Sequence, residues 1–183
     1  MLDQFREEVV SKHSKGMQTA AYIAVNLVWF LLAVYAFLVF QSITRSCYTG
    51  QFNALDIVFF VIPAGLAVLL FLQKDRVRTE YEYTFTNGQM DFAQVYNNKK
   101  RKGLGTMNLK NVEACGLVSS GSFHRYISMP AIQRTNWFLN RDAELLYFYF
   151  QKEGKKRIII IEPSQEMIDL IKKALPQGVW QTN

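Results

Sequence analysis

Two long apolar stretches dominate the first part of the chain. Residues 20–40 contain no charged residue, proline or glycine, and residues 52–72 contain Asp56 as their only charged residue. As a helix, each stretch of 21 residues extends roughly 30 Å, the thickness of the hydrocarbon core of a bilayer. Pro63 and Gly65 in the second stretch are tolerated in membrane helices, where neighbouring groups satisfy the freed backbone. The pattern therefore predicts a two-helix membrane hairpin over residues 19–73.

The basic residues around this hairpin predict its orientation. The connection, residues 42–51, is too short to fold alone, so the two helices should run antiparallel. Six basic residues flank the hairpin and one lies in the connection: Arg6, Lys12, Lys15, Lys74, Arg76 and Arg78 flank it, and Arg45 lies within the connection. Because cytoplasmic segments are enriched in Lys and Arg, we expect a multi-pass protein of the cell membrane with both termini in the cytoplasm. A cleaved signal peptide is disfavoured, since the first apolar run is longer than a signal-peptide core.

Residues 1–18 form a separate, mostly polar segment. Leu2, Phe5, Val9 and Val10 follow near-helical spacing. This spacing predicts a short cytosolic amphipathic helix that lies on the inner leaflet or packs on the soluble domain.

From residue 74 to residue 183 the pattern changes to that of a cytosolic β-rich domain. Residues 79–86 and 89–96 alternate between apolar and polar positions, which is typical of half-buried strands. Asn87 and Gly88 between them are the strongest short signal for a tight hairpin turn. One or two further strands are expected up to about residue 118.

The last third of the chain contains a less regular part and a regular part. Residues 119–141 lack clear periodicity, and short strands are expected at 126–129 and 136–139. Residues 145–150 and 157–161 are apolar and rich in aromatic or β-branched residues, as strands are. Residues 164–175 carry apolar positions on one helical stripe. The simplest fold is a partly open barrel or sandwich that this helix covers.

One candidate binding site is a run of four cations. Lys99, Lys100, Arg101 and Lys102 lie on a predicted turn in a chain with a net charge of +6. Near an anionic membrane surface each such cation contributes about 1 kcal/mol, so the run is a candidate contact for anionic lipid headgroups. A solvated hairpin tip and contact with another macromolecule are the alternatives. Nucleic acid is not expected as the partner, because the bias of membrane proteins towards cytoplasmic cations explains the charge.

Two polar residues lie inside the apolar stretches. Asn26 is predicted to form a hydrogen bond between helices or between protomers. Asp56 is expected near the outer membrane interface or at the helix cap, because a buried charge is costly. No second buried ionisable group accompanies either residue, so transport by the hairpin is not expected.

The sequence contains no pattern typical of an enzyme, a metal site or a cofactor site. The two cysteines, Cys47 and Cys115, are predicted on opposite sides of the membrane, and the two histidines are scattered. Gly103 and Gly105 lack the remaining glycines of a phosphate-binding loop. We therefore expect no catalytic residue, no metal and no cofactor.

Two segments resemble a known family. The stretch EYEYTFTNGQMDFAQVYNNKKRK (residues 80–102) and the stretch IIEPSQEMIDLIKKALPQGVW (residues 160–180) are similar to an uncharacterised family from Gram-positive bacteria. Its members carry two membrane helices followed by a pleckstrin-homology-like (PH-like) domain. The resemblance implies that fold for this chain but no activity, since fold alone does not determine function.

Two functions from different classes fit these observations. The first is a membrane-anchored binding or scaffold module whose cytosolic domain binds a lipid headgroup, a peptide or a second copy of the chain. The alternative is a structural accessory subunit whose helices pack into a larger membrane complex. The ligand, the oligomeric state and the pathway are not encoded in any recognisable motif.

Overall fold

A computed structural model describes residues 4–182 and divides the chain into two compact units. The helical unit is Ser14–Arg78. The β unit combines the residues before it, up to His13, with those from Thr79 onwards. In chain order the helical unit is therefore an insertion in the β unit, rather than a segment that precedes it.

The helical unit contains two helices, α1 (Lys15–Thr49) and α2 (Ala54–Gln73), and ends in a short 3-10 helix, Lys74–Val77. Both helices are long and apolar enough to span a membrane, with mean hydropathies of 2.5 and 2.6 over their most apolar windows. Between them they bury only two residues in the structure as described, Ala36 and Ala67.

The connection between the helices is shorter than predicted. Residues 42–49 continue α1, and only residues 50–53 link it to α2. Gly50 ends α1 with a φ of 70°, a conformation that glycine adopts without strain. Upstream of it the hydroxyl of Thr44 donates to the Gln41 carbonyl oxygen at 2.7 Å. The hydroxyls of Thr44 and Thr49 thus form hydrogen bonds within the helix, and Gly50 ends it.

The prediction of an amino-terminal amphipathic helix is wrong. Strand β1 (Phe5–Val10) pairs antiparallel with β2 (Thr79–Thr86), and Val10 lies opposite Tyr81. The sequence of β1 alternates between exposed and more buried positions, and Val10 joins the core of the β unit. Pairing with the distant strand β2 decides the conformation of residues 5–10. The helical spacing on which the prediction was based included Leu2, which lies outside the described residues.

The first sheet has the order β1-β2-β3-β4, with β3 at Gln89–Tyr96 and β4 at Lys100–Asn108. The predicted strands 79–86 and 89–96 coincide with β2 and β3. Between them Asn87 and Gly88 both have positive φ values, 48° and 85°. A type I′ turn requires this conformation at both central residues. A bulge at Phe92 and Ala93 shifts the register between β3 and β4.

The second sheet has five strands in the order β6-β8-β7-β5-β9. The strands are β5 (Ala114–Leu117), β6 (Gln133–Trp137), β7 (Leu146–Lys152), β8 (Lys155–Ile161) and β9 (Trp180–Gln181). β6 runs parallel to β8, and β9 runs parallel to β5. The expected strand 126–129 is not formed, since this segment belongs to the end and flank of helix α3 (Gly121–Ile127). The expected strand 136–139 overlaps β6, which begins at Gln133.

Helix α4 (Gln165–Ala174) corresponds to the predicted helix 164–175. The Ser164 hydroxyl accepts a hydrogen bond from the Met167 amide at 3.3 Å and caps the helix. Met167 and Ile171 of α4 are fully buried in one core with Tyr83 of the first sheet and Phe148 of the second. The main core therefore joins both sheets and the carboxyl-terminal helix.

The second sheet is covered on its other face as well. Tyr147, Tyr149, Ile158 and Ile160 form a second core with Phe123 of α3. Burial on both faces explains why β7 and β8 read as continuous apolar runs instead of alternating ones.

Candidate functional site

The basic run lies partly in a turn and partly in a strand. Asn97 and Asn98 adopt positive φ values of 50° and 53°, and asparagine tolerates this conformation better than most residues. The Lys99 amide then donates to the Tyr96 carbonyl oxygen at 3.0 Å and closes the turn. From Lys100 onwards the run is the first part of β4.

Strand geometry separates the cations. Lys100 lies opposite Tyr96 and Lys102 opposite Gln94, whereas Arg101 lies opposite Val95. Because successive side chains in a strand point to opposite faces, Lys100 and Lys102 share one face and Arg101 lies on the other. All four cations are exposed to solvent.

Arg101 also has an acidic partner. Its Nε donates to a carboxylate oxygen of Glu82 on β2 at 2.5 Å. An exposed ion pair of this kind contributes roughly 0.2–1 kcal/mol, yet it offsets the charge of Arg101 towards an anionic surface. The structure therefore places Lys100 and Lys102 on one face of β4, and Arg101 does not belong to that face.

Asn26 forms its described hydrogen bonds within α1 and not with α2, and a bond between protomers stays a prediction. Its amide nitrogen donates to the Tyr22 carbonyl oxygen at 2.7 Å. Its amide oxygen accepts from the indole nitrogen of Trp29 at 3.1 Å. Spacings of three and four residues place these groups on one side of the same helix, which satisfies the amide locally.

Asp56 lies in the first turn of α2. The Asn53 side chain caps this helix by accepting from the Leu55 amide at 3.0 Å. The amino-terminal end of a helix carries partial positive charge, which favours a carboxylate there. Asp56 therefore lies within the first helical turn while Asn53 is the cap, and its location at the outer membrane interface stays a prediction.

One end of the helical unit combines cations and aromatic rings, a feature that the sequence reasoning missed. The Lys74 ammonium lies 4.1 Å from the ring centre of Phe71 and 5.2 Å from that of Trp29. The Arg78 guanidinium lies 4.3 Å from the ring centre of Tyr22. Aromatic rings and long basic side chains favour the interface of a membrane with water. The signal in the sequence that could have indicated this arrangement is the presence of basic residues directly after the second apolar stretch, together with aromatic residues inside both stretches.

Among the described residues, the buried charged group of the β unit is the carboxylate of Glu162. It accepts hydrogen bonds from the Leu139 amide at 3.0 Å, the Asn140 amide at 2.9 Å and the Asn140 side chain at 2.6 Å. Asn140 in turn accepts from the His13 amide at 2.8 Å and donates to the Ser11 carbonyl oxygen at 3.0 Å. This network fixes the segment that follows β1, which is a structural role.

Two further buried side chains of the β unit have raised pKa values. Burial raises the pKa of the Cys115 thiol, so this cysteine stays protonated and unreactive. Burial also raises the pKa of Tyr83, whose hydroxyl donates to the Trp137 carbonyl oxygen. Over residues 4–182 no group of three or more His, Cys, Asp or Glu side chains could hold a metal ion.

A partly open cleft between the two sheets is a further site that the sequence did not indicate. Its volume is about 290 Å³, and both β4 and β8 contribute to its lining. Trp137 and Arg157 belong to it, although they are 20 positions apart in the sequence and no motif links them.

Comparison with known proteins shows the family of the chain. The family model for the bacterial PH-like domain (DUF6106) matches residues 2–181. The match covers nearly the whole sequence, so the chain belongs to this family. No curated protein and no solved structure matches the chain.

Proposed function

For this member of the bacterial PH-like family, we propose the role of a membrane-anchored binding module. The helical unit spans the cytoplasmic membrane as a hairpin, with both ends in the cytoplasm. The β unit lies on the cytoplasmic side and contacts anionic lipid headgroups through Lys100 and Lys102.

The observation that carries this proposal is the position of the helical unit in the chain. The chain leaves the β unit after β1 and returns to it at β2, and these strands are hydrogen-bonded neighbours. Because β1 and β2 belong to one sheet, the start of α1 and the end of α2 must emerge on the same side of any membrane that the helices cross. Two crossings meet this requirement.

The exposure of apolar residues supports insertion into lipid. Phe30, Leu31 and Phe59 expose 54%, 56% and 56% of their surface in the helical unit. An exposed apolar surface of this extent on a soluble protein marks an interaction with a membrane or a partner. Its distribution along both long helices favours lipid.

The basic residues support the proposed orientation. Lys74 and Arg78 lie beside aromatic rings at the end of α2, whereas Arg45 is the single basic residue of the opposite end of the hairpin. The enrichment of cytoplasmic flanks in Lys and Arg supports a cytoplasmic β unit.

The first test asks whether the helical unit alone holds the protein in the membrane. A variant in which a short Gly/Ser linker replaces Ser14–Arg78 retains β1, whereas a fragment starting at residue 74 would lose it. We expect this variant to remain in solution without detergent and the full chain to resist extraction from membranes by alkaline carbonate. A full chain that carbonate releases, or that stays dispersed in plain buffer, would contradict membrane insertion.

The second test asks whether the β unit contacts anionic lipids. The linker variant is sedimented with phosphatidylglycerol vesicles and with phosphatidylcholine vesicles. Lys100→Gln combined with Lys102→Gln should weaken binding by about ten-fold or more, since each cation contributes about 1 kcal/mol. Arg101→Gln is the matched control and should have a smaller effect, because Glu82 offsets this charge.

These measurements separate the proposal from its alternative. A structural accessory subunit would show no preference for anionic vesicles and would co-purify in mild detergent with other membrane proteins. Equal vesicle binding by the double variant and the parent would show that Lys100 and Lys102 do not contribute to lipid binding.

A further inference from the structure

The cleft between the sheets has an apolar lining drawn from distant parts of the chain. The residues that form this lining are Phe92, Leu104, Met107, Trp137, Phe150 and Ile159. The rings of Phe92 and Trp137 lie 4.8 Å apart and form one wall. Aromatic rings that reach a partly open cleft offer a large contact surface to an apolar ligand at little cost in side-chain entropy.

The charges at this cleft have one sign. Lys152 and Arg157 line it, and among the described residues of its lining there is no Asp or Glu. Arg157 lies opposite Phe150 in the sheet and two positions before Ile159. Both neighbours face the main core, so the strand directs Arg157 to the space between the sheets.

Arg157 carries an unsatisfied donor. Its Nε is buried and has no hydrogen-bond partner among the residues that the structure describes. A buried polar group without a partner is unfavourable, and one on a cation is more so. An anionic acceptor in the cleft would remove this cost.

Polar amides complete the rim of the cleft. Asn108 and Asn111 belong to the lining, whereas the side-chain nitrogen of Gln151, which also lines the cleft, donates to the Glu113 carboxylate at 3.5 Å. The oxygen of Asn108 already accepts from the Lys110 amide at 2.9 Å, so its nitrogen is oriented as a donor. The cleft therefore combines an aromatic wall with cationic and neutral donors.

We infer that this cleft binds a small amphipathic anion, in which one phosphate or carboxylate group is attached to an apolar body. The anionic group pairs with Arg157 and Lys152, and the apolar body lies against Phe92 and Trp137. The volume of about 290 Å³ is at the lower end for ligand pockets, which limits the body to about one ring or a short chain. None of the four cations of residues 99–102 lines this cleft, so the site is separate from the proposed lipid contact of the turn.

Phenyl phosphate is the probe that tests this inference. It is water-soluble and combines one dianionic group with one ring. The full chain, in nanodiscs of phosphatidylcholine, is titrated with it by calorimetry, and empty nanodiscs provide the blank. We expect saturable binding with one site per chain, and inorganic phosphate should bind at least ten-fold more weakly because it lacks the ring.

Matched variants assign the site. Arg157→Gln should weaken phenyl phosphate binding by about ten-fold or more, the range expected for a hydrogen bond to a charged group. Lys156→Gln makes the same change of charge on the neighbouring position, which faces the other side of the strand, and should change binding by less than two-fold. Arg157→Lys keeps the cation but lacks the Nε donor, so it should retain more affinity than Arg157→Gln, which distinguishes lost binding from misfolding.

The apolar wall has its own variant. Trp137→Leu should weaken phenyl phosphate and leave inorganic phosphate unchanged. The inference is overturned if phenyl phosphate shows no saturable binding, if the ring adds no affinity, or if Lys156→Gln and Arg157→Gln have equal effects.

One further arm identifies the source of the anion. Nanodiscs that contain phosphatidic acid present a phosphate monoester attached to a lipid. Loss of phenyl phosphate binding in these nanodiscs, with recovery when phosphatidylcholine replaces the phosphatidic acid, would show that a lipid headgroup occupies the cleft. Unchanged binding would support a soluble anion as the occupant.

Discussion

The two units of the chain place the same residue types in opposite environments. In the helical unit Phe30 and Phe59 expose more than half of their surface, whereas Phe85 and Phe148 of the β unit expose none. The β unit gains stability by removing such rings from water. The helical unit does not bury its rings against protein, so its stability as a folded hairpin must depend on what surrounds it.

The two units also differ in what determines their structure. The fold of the β unit follows from contacts within the described residues, and it includes β1 from before the helical unit. The proposed environment of the helical unit rests on surface composition. Substitutions that act on one unit and not the other therefore test the comparison directly.

The largest expected effect is the loss of a buried ring from the β unit. Phe148→Ala should destabilise this unit by about 3–5 kcal/mol, because the ring is lost and a cavity remains. Denaturant unfolding of the full chain in detergent, followed by near-ultraviolet circular dichroism, measures this change. Phe59→Ala, which removes the same ring from the helical unit, should leave the transition of the β unit unchanged.

A charge on the apolar surface of the helical unit should have the next largest effect. Leu31→Arg should oppose insertion of α1 by about 2.5–3.5 kcal/mol if this position lies near the centre of a bilayer. The carbonate-resistant fraction of the protein in membranes measures insertion, and Leu31→Ala is the control. Equal resistance of the arginine variant and the parent would argue that lipid does not surround this face.

The buried polar network of the β unit should contribute less than a core ring. Glu162→Gln should destabilise the unit by about 1–3 kcal/mol, because the new amide nitrogen leaves at least one buried donor unpaired. Glu144→Gln removes an exposed carboxylate from a nearby loop and serves as the control in the same thermal unfolding measurement. Similar stabilities of the two variants would show that the network contributes little.

Removal of the helix cap should cost about 1 kcal/mol. Ser164→Ala deletes the hydroxyl that accepts from the Met167 amide, and an amino-terminal cap typically contributes this amount. Ser119→Ala, an exposed serine outside α4, should be neutral. Denaturant midpoints of the two variants provide the measurement.

The smallest expected effect is the pH dependence that comes from Asp142. Hydrogen bonds from its own backbone amide and from the His13 imidazole hold its pKa below the ordinary value of 3.8. A lowered pKa in the folded state means that the carboxylate stabilises the fold above pH 3.8 and that this contribution is lost as the pH falls through the lower value. The difference in melting temperature between the parent and Asp142→Asn should therefore be present at neutral pH and disappear in acid.

Local patterns were sufficient for a large part of the fold. Strands β2 and β3 coincide with the predicted ranges because alternation and the turn at Asn87 and Gly88 act over a few residues. Helix α4 agrees for the same reason, since its apolar stripe and its cap at Ser164 are local signals. The PH-like family, shown by the match over residues 2–181, also follows from such segments.

Non-local pairing decided what the sequence reasoning missed. The segment Phe5–Val10 has spacing compatible with a helix, but its partner β2 lies about 70 residues further along the chain. The segment at 126–129 has the composition of a strand. In the structure it is the end and flank of α3, and its apolar side chains pack against the second core of the second sheet. The basic run was visible as a sequence, while its division by strand alternation and by Glu82 required the register of β3 and β4.

The sequence by itself determined that two stretches are too long and too apolar for ordinary exposure to water, and that a β-rich unit with a terminal helix follows them. Hydrophobic patterning suffices for these conclusions because it reflects the environment of each side chain along one element. Only the tertiary structure decided that the amino-terminal strand completes the β unit across the helical insertion, and that Trp137 and Arg157 meet in one cleft. Such juxtapositions depend on contacts between residues far apart in the chain, which no local pattern records.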